Sequence, residues 1–345
     1  MEQTATIPSG EIHRRDHDTL AARAMTRLRL QTWQLALVIG GATHLAALLA
    51  VTADGELANA DSWTFWRGRT LSGTVIAYLL LVYPFVTRLR DAALESLRPM
   101  SRVSSAEFDR LKEQVVHTRP VVEVATILLW VAIGLWSDTP WRDFPGGTWQ
   151  TVWDYPATIL LWGLAGATVY HAIHGTVAVE RMHQRAKLRV GMFADGEFAE
   201  VTRWSLGVSA VTLIGVSVAV IFVPPENLTR VEIYAPIAAF VVLGVALFFV
   251  NLHVVSGAIG KAKAEAMAGV RAKMSVAADR LRSADGQESA EREARVELAD
   301  WLAYERRLKD VPVWPIATGT FFKLGGSAAM PGVAFLVKYV LNRFM

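Results

Sequence analysis

Six ionisable or amide side chains, His44, Glu123, His171, His174, Asn251 and His253, stand inside long apolar stretches of this chain. Tyr83 stands in another, one residue before Pro84. A titratable group in hydrocarbon is costly, so such residues are the first place to look for chemistry. His171 and His174 are three apart and therefore share one helix face. Three uses fit these residue types. Imidazole and amide groups can hydrogen-bond between packed helices, each contributing about 1 kcal/mol or less. A Glu with a His can pass protons or line an ion path, since both titrate within reach of neutral pH when their surroundings shift them. Imidazoles from different helices can ligate a single haem, one of the His171/His174 pair with His253, or His171, His174 and His183 can hold a metal ion.

The elements that must carry these residues are membrane spans. The chain is 52% hydrophobic and only 19% charged, with mean hydropathy +0.30, and the missing charge is concentrated in runs of about 20 residues, the length that crosses a bilayer. Those runs cover 30–53, 70–87, 120–137, 155–179, 204–225 and 233–260, the third interrupted only by Glu123. Interfacial tryptophans flank them: Trp63 and Trp66 before the second, Trp136 and Trp141 after the third, Trp149 and Trp153 before the fourth. The expected fold is an all-α, polytopic bundle of six transmembrane helices. Val51-Thr52-Ala53 loosely resembles a signal-peptidase site. The 29 residues before the first run and its long apolar core fit a span better.

Of the 35 Lys and Arg residues, 31 lie in the N-terminal segment, the second and fourth connectors and the tail from Lys261. The alternate connectors hold only Arg67, Arg69, Arg142 and Arg230. Basic residues stay with the cytoplasmic loops, so both termini are expected inside. Each span then has a direction, which puts Glu123, His171, His174, Asn251, His253 and Tyr83 in the inner half of the membrane and His44 near mid-depth.

Around the spans the organisation is simple. Residues 1–29 form a cytoplasmic N-terminal segment. Ser104-Ser105-Ala106-Glu107 has the pattern of a capping box, opening a short amphipathic helix with Phe108, Leu111 and Val115 on one face, along the membrane or the tail. Asp195-Gly196 marks a turn. Residues 261–310 read as a cytoplasmic helical hairpin: Met267, Val270, Met274, Ala277 and Leu281 make an a/d stripe two heptads long, Asp285-Gly286 breaks it, and Ala294, Leu298, Trp301 and Leu308 resume it. Folding of the hairpin on itself or on the inner loops is favoured over an oligomerisation stalk, and 267–308 is the stretch for self-association or a protein partner. Residues 311–345 open with Val311-Pro312-Val313-Trp314-Pro315, which cannot continue a helix. The apolar 324–337 that follows suits an interfacial or re-entrant segment, with a seventh crossing as the alternative.

The chain resembles a group of uncharacterised bacterial multi-pass membrane proteins. The resemblance runs from about Arg88 onward and rests on Phe108-Asp109-Arg110-Leu111, on Arg181-Met182-His183-Gln184-Arg185-Ala186, and on Val313-Trp314-Pro315 before a terminal amphipathic helix. It implies this fold and a bacterial cytoplasmic membrane, and no activity, cofactor or catalytic residue.

Other classes are excluded or left without an anchor. With no Cys there is no disulfide, thiolate metal site, iron–sulfur cluster or cysteine nucleophile. A net charge of +3 spread along membrane edges gives no nucleic-acid surface. No HExxH, GxSxG or GxGxxG occurs, and Gly325-Gly326-Ser327 lacks the Lys-Ser/Thr ending of a phosphate loop. Small pairs at Gly163/Ala167 and Ser205/Ser209 suggest close helix packing. The expected role is non-enzymatic, structural, scaffolding or regulatory, with no cofactor and with the lipid bilayer as the first partner. The alternatives are a small channel or proton-coupled transporter using the inner-half Glu and His residues, and then a single-haem or metal protein.

Overall fold

The computed structural model describes residues 31–59, 63–138, 147–186, 188, 198–223, 231–283, 287–314, 325–327 and 329–335. The N-terminal segment and the Asp195-Gly196 and Asp285-Gly286 turns lie outside them. The helices are α1 (Thr32–Ala53), α2 (Trp63–Ser96), α3 (Ser105–Val116), α4 (Pro120–Asp138), α5 (Thr148–Arg185), α6 (Ala199–Phe222), α7 (Val231–Ser283) and α8 (Glu288–Asp310), with a short 3₁₀ turn at Glu56–Asn59. No strand occurs among the described residues. Six of the helices are long and apolar enough to cross a membrane, which is the architecture of a multi-pass membrane protein.

Several helices run past the expected limits, and two of these differences bear on the site and the tail. The second span sits inside a helix that runs on to Ser96, because Thr87, Arg88, Leu89 and Arg90 are good enough helix formers to continue it past the apolar run. The sixth span and the first arm of the tail are one unbroken helix of 53 residues. Its composition changes at Lys261, and Gly260 just before it, with no Pro following, does not end the helix. At 1.5 Å per residue this helix is about 80 Å long. Composition marked where its environment changes, not where the helix stops.

Helix α5 is the centre of the bundle, touching α1, α2, α3, α4 and α7. Its contact with α4 is reciprocal. A Cβ on Gly166 of α5 would lie 2.8 Å from the Cβ of Trp130 on α4, and a Cβ on Gly134 of α4 would overlap the Trp162 ring of α5. Each helix thus offers a glycine to the other's indole, four residues from its own. The two indoles stack at 6.0 Å, and Phe240 of α7 closes on Trp130 at 4.8 Å. The α1–α2 contact repeats the device: Gly40 admits Ala77, and Gly73 admits the His44 ring. Glycine here permits approach, since lipid gives apolar side chains no reason to leave it and close packing must bring the helices together. A Cβ on Gly163, read from sequence as a close-packing residue, would meet Ile127 and Val131 at ordinary distances of 3.8 and 3.7 Å; Gly134 and Gly166 carry the tight contact.

Many hydroxyls inside the spans are satisfied by their own helices, although buried Ser209 Oγ has no partner among the described residues and Tyr78 donates to the Val211 carbonyl of α6. Thr43, Thr87, Thr126, Thr168, Thr176, Ser205, Thr212 and Ser217 bond carbonyls four residues back, which settles their polarity without a partner helix or water. At the end away from the basic connectors, Asp54 after α1 accepts from the Trp149 and Gln150 amides at the start of α5 (3.1 and 2.9 Å), where a carboxylate also meets the positive end of the helix dipole.

The main core lies at the opposite, basic end, where Leu94, Leu97, Phe108, Met182, Val201 and Trp204 are buried together. Helix α3 is capped by Ser104, whose Oγ accepts from the Glu107 amide at 3.3 Å. It packs into this core through fully buried Phe108. Arg98 covers the Phe108 ring at 4.6 Å and bonds both Asp109 and Glu95, and those two carboxylates, Asp109 first, hold its guanidinium pKa above the ordinary arginine value. Phe108-Asp109 is thus a structural plug.

Gly166→Ala should lower the thermal midpoint of the detergent-solubilised protein, by about 1–3 kcal/mol of overpacking against a Cβ that cannot swing away. Gly257→Ala, with nothing within 4 Å, should leave it unchanged or raise it slightly. Equal midpoints for the two variants would dismiss the close-approach role of Gly166.

Candidate functional site at the basic end of the bundle

One face of α5 presents Tyr170, His171 and His174 towards the start of α4. That start is set by Pro120, which has no amide proton to satisfy at a first helical position. The Tyr170 hydroxyl accepts the Arg119 amide at 3.2 Å. His174 stacks on the Tyr170 ring at 5.6 Å, its Nδ1 buried with no hydrogen-bond partner among the described residues. The Tyr170 hydroxyl ties the α3–α4 connector to α5. With the connector held, Glu123, one turn into α4, turns inward.

Glu123 Oε1 lies 3.3 Å from His171 Nε2, and the two residues are 7% and 6% exposed. The Tyr83 hydroxyl of α2 lies 3.5 Å from the same nitrogen, with its ring edge-on to the imidazole. A carboxyl and an imidazole that share one proton are electroneutral whichever of them holds it, and that neutrality is what makes this burial tolerable. The pair also has a definite use: a proton can move between Oε1 and Nε2 without changing the net charge of the bundle.

Beside the pair is a small cavity with room for about one water, lined by Tyr83, Val86, Thr87, Arg90, His171 and Trp204. Arg90 is 8% exposed and directs Nε and Nη2 onto Asp91 Oδ1 at 3.0 and 2.9 Å. Trp204 is fully buried, its benzo edge against Gly175, and its indole N–H has no hydrogen-bond partner among the described residues. The wall therefore carries a guanidinium, a phenol, an imidazole and an indole.

Of the residues singled out from sequence, Glu123 and His171 meet, and His174 stands on the same face, stacked on Tyr170. The others do not join them. His44 Nδ1 faces the Gly40 carbonyl at 2.7 Å and Nε2 faces Thr74 at 3.4 Å, so this ring links α1 to α2. Asn251 is buried, and its amide donates to Leu247 of its own helix. His253 is exposed on the outer face of α7, because two residues along a helix turn a side chain about 200° away from Asn251. No three His, Cys, Asp or Glu side chains gather among the described residues, so His171, His174 and His183 do not form a common ligand set. Arg90, Tyr170 and Trp204 were missed. Arg90 follows the apolar run by three residues and was counted with the connector, although Tyr83, Val86 and Arg90 recur at helical spacing and share a face.

No family model, no curated protein and no solved structure matches the chain.

The coupling between Glu123 and His171 is measurable. Glu123→Gln and His171→Ala should each destabilise the protein by about 3–5 kcal/mol, since each strands a buried partner. The double variant should cost clearly less than their sum, with Tyr83→Phe smaller than either. Strict additivity in thermal or denaturant unfolding would show that the two do not interact.

Proposed function

We propose that the protein is a non-enzymatic, multi-pass protein of the bacterial cytoplasmic membrane whose bundle holds a cytoplasmic helical hairpin at a set distance and angle from the bilayer. The observation that carries this reading is the unbroken α7. A helix that leaves the membrane without a hinge transmits the orientation of the bundle to whatever lies beyond it. About 23 residues beyond Gly260 extend this helix by about 35 Å.

The second helix is fastened to it along its length. Lys263 donates to the carbonyls of Lys309 and Val311 (2.7 Å each), Arg271 faces Glu305 at 3.7 Å, Lys273 lies over the Trp301 ring at 4.3 Å, and Arg280 meets Glu297 at 3.0 Å. Val270, Ala277, Ala294 and Leu308 are buried between them. Val276 and Val296 are 51% and 57% exposed, which leaves apolar positions on the arm for self-association or a protein partner through 267–308. The excess of Lys and Arg in the N-terminal segment, the second and fourth connectors and this arm supports a cytoplasmic placement for all of them.

Cross-linking in native membranes through cysteines placed at Val276 and Val296 should recover either a second copy or a discrete partner, and Val296→Glu should abolish it. Recovery of neither would remove the scaffold reading.

A second reading has an observation of its own. The buried Glu123–His171 pair beside the Arg90 cavity supports proton handling in the inner half of the membrane. Reconstituted vesicles should then dissipate a pH gradient faster than protein-free ones, and Glu123→Gln should return the rate to background. Wild type and Glu123→Gln both indistinguishable from empty vesicles would dismiss it.

A further inference from the structure

The cavity beside Glu123 and His171 has a wall rich in donors. Arg90 contributes a guanidinium and Trp204 an indole N–H, groups that donate hydrogen bonds and cannot accept them. The two converge at α5: a Cβ on Gly175 would lie 2.6 Å from Trp204 Cζ2, the ring carbon on the N–H side of the indole, and 3.4 Å from Arg90 Cδ. Trp204 is fully buried, and its Nε1 has no partner among the described residues. A donor in that state is costly unless something in the cavity accepts from it. The lining side chains include no carboxylate; Asp91, which holds Nε and Nη2 of Arg90, is not one of them.

Such a wall fits an occupant that only accepts, which is an anion. Room for about one water limits it to a single atom. Charge then limits how it can enter. Asp91 already neutralises Arg90, and Glu123 and His171 share one proton. A buried anion would leave this end with an uncompensated negative charge, which a low-dielectric interior tolerates poorly. One more proton on the pair, giving a carboxylic acid and an imidazolium, restores neutrality at the cavity wall, where His171 stands.

We propose that this cavity binds a halide-sized anion together with a proton, the anion on Arg90 and the Trp204 N–H, the proton on Glu123–His171. The assignment rests on the reading of that pair as a proton carrier and adds the ion bound with the proton. The other titratable or charged groups around the pair are Tyr83, Arg90 and Asp91 of α2, Arg119 before α4, and Tyr170 and His174 of α5. Helix α6 brings Trp204, which has no charge.

In titration calorimetry the purified protein should bind fluoride or chloride, and the bound ion should raise the thermal midpoint over gluconate at equal ionic strength. Sulfate, too large for the cavity, should do neither, a contrast that needs no variant. Affinity should fall by up to about tenfold per unit rise in pH across neutrality, because one proton is taken up with each ion. Trp204→Phe, which keeps a ring and removes the N–H, should weaken binding by about tenfold or more, and Arg90→Gln should abolish it. No halide-specific signal in the wild type, or equal affinity in Trp204→Phe, overturns the site. Halide binding that ignores pH overturns the coupling, and with it the proton role of the pair. A pH gradient that still collapses through Glu123 without any halide binding removes the site and leaves that role standing.

Discussion

Everything in this bundle depends on how closely α5 can be approached. In hydrocarbon, apolar side chains lose nothing by facing lipid, so area burial does not draw helices together as it does in water. Contact must be gained by fit. Gly166 and Gly134 let Trp130 and Trp162 sit against opposite backbones, and Gly175 does the same for Trp204. These approaches fix the rotation of α4, α5 and α6 about their axes. Only with that rotation set do Tyr170, His171 and His174 face the start of α4 and the basic end of α2.

The polar cluster follows from that geometry. Tyr170, with His174 stacked on its ring, holds the connector before Pro120, and Glu123 one turn on faces His171. A carboxylate placed there alone would be expelled or protonated; opposite an imidazole it forms a neutral unit that hydrocarbon tolerates. The unit sits beside Arg90, where α2 passes from apolar run to basic connector. Among the described residues the largest cluster of buried hydrophobic side chains also lies at this end, with Phe108 and Trp204 both fully buried. The cluster and the connectors therefore cannot shift independently of one another.

Helix α7 ties this end to the arm. It carries Asn251 within the bundle and Lys263 just beyond it, and Lys263 in turn fastens the last carbonyls of α8. The sequence announced both parts of this helix but placed a boundary at Gly260, because charge begins there. A helix responds to backbone propensity and caps, and a single glycine at 260 is not enough to end it. The same confusion of environment with structure hid Arg90, which lies past the apolar run yet still on the inward face of α2.

By itself the sequence determined the number of the main spans, their approximate limits and the end of the bundle at which each polar residue stands. These depend on solvent: about 20 uncharged residues are needed to cross hydrocarbon, and charge must lie outside it. Which polar residues meet was decided only by tertiary structure. A soluble helix shows its buried face as a stripe of apolar residues, but a span is apolar on every side, so its rotation leaves no periodic trace. Hence Glu123 and His171, 48 positions apart, could be placed at one depth but not in one contact, and His253, at the same depth, faces outward. The rotation came from where glycines admit indoles, a property of pairs of helices that no single span carries.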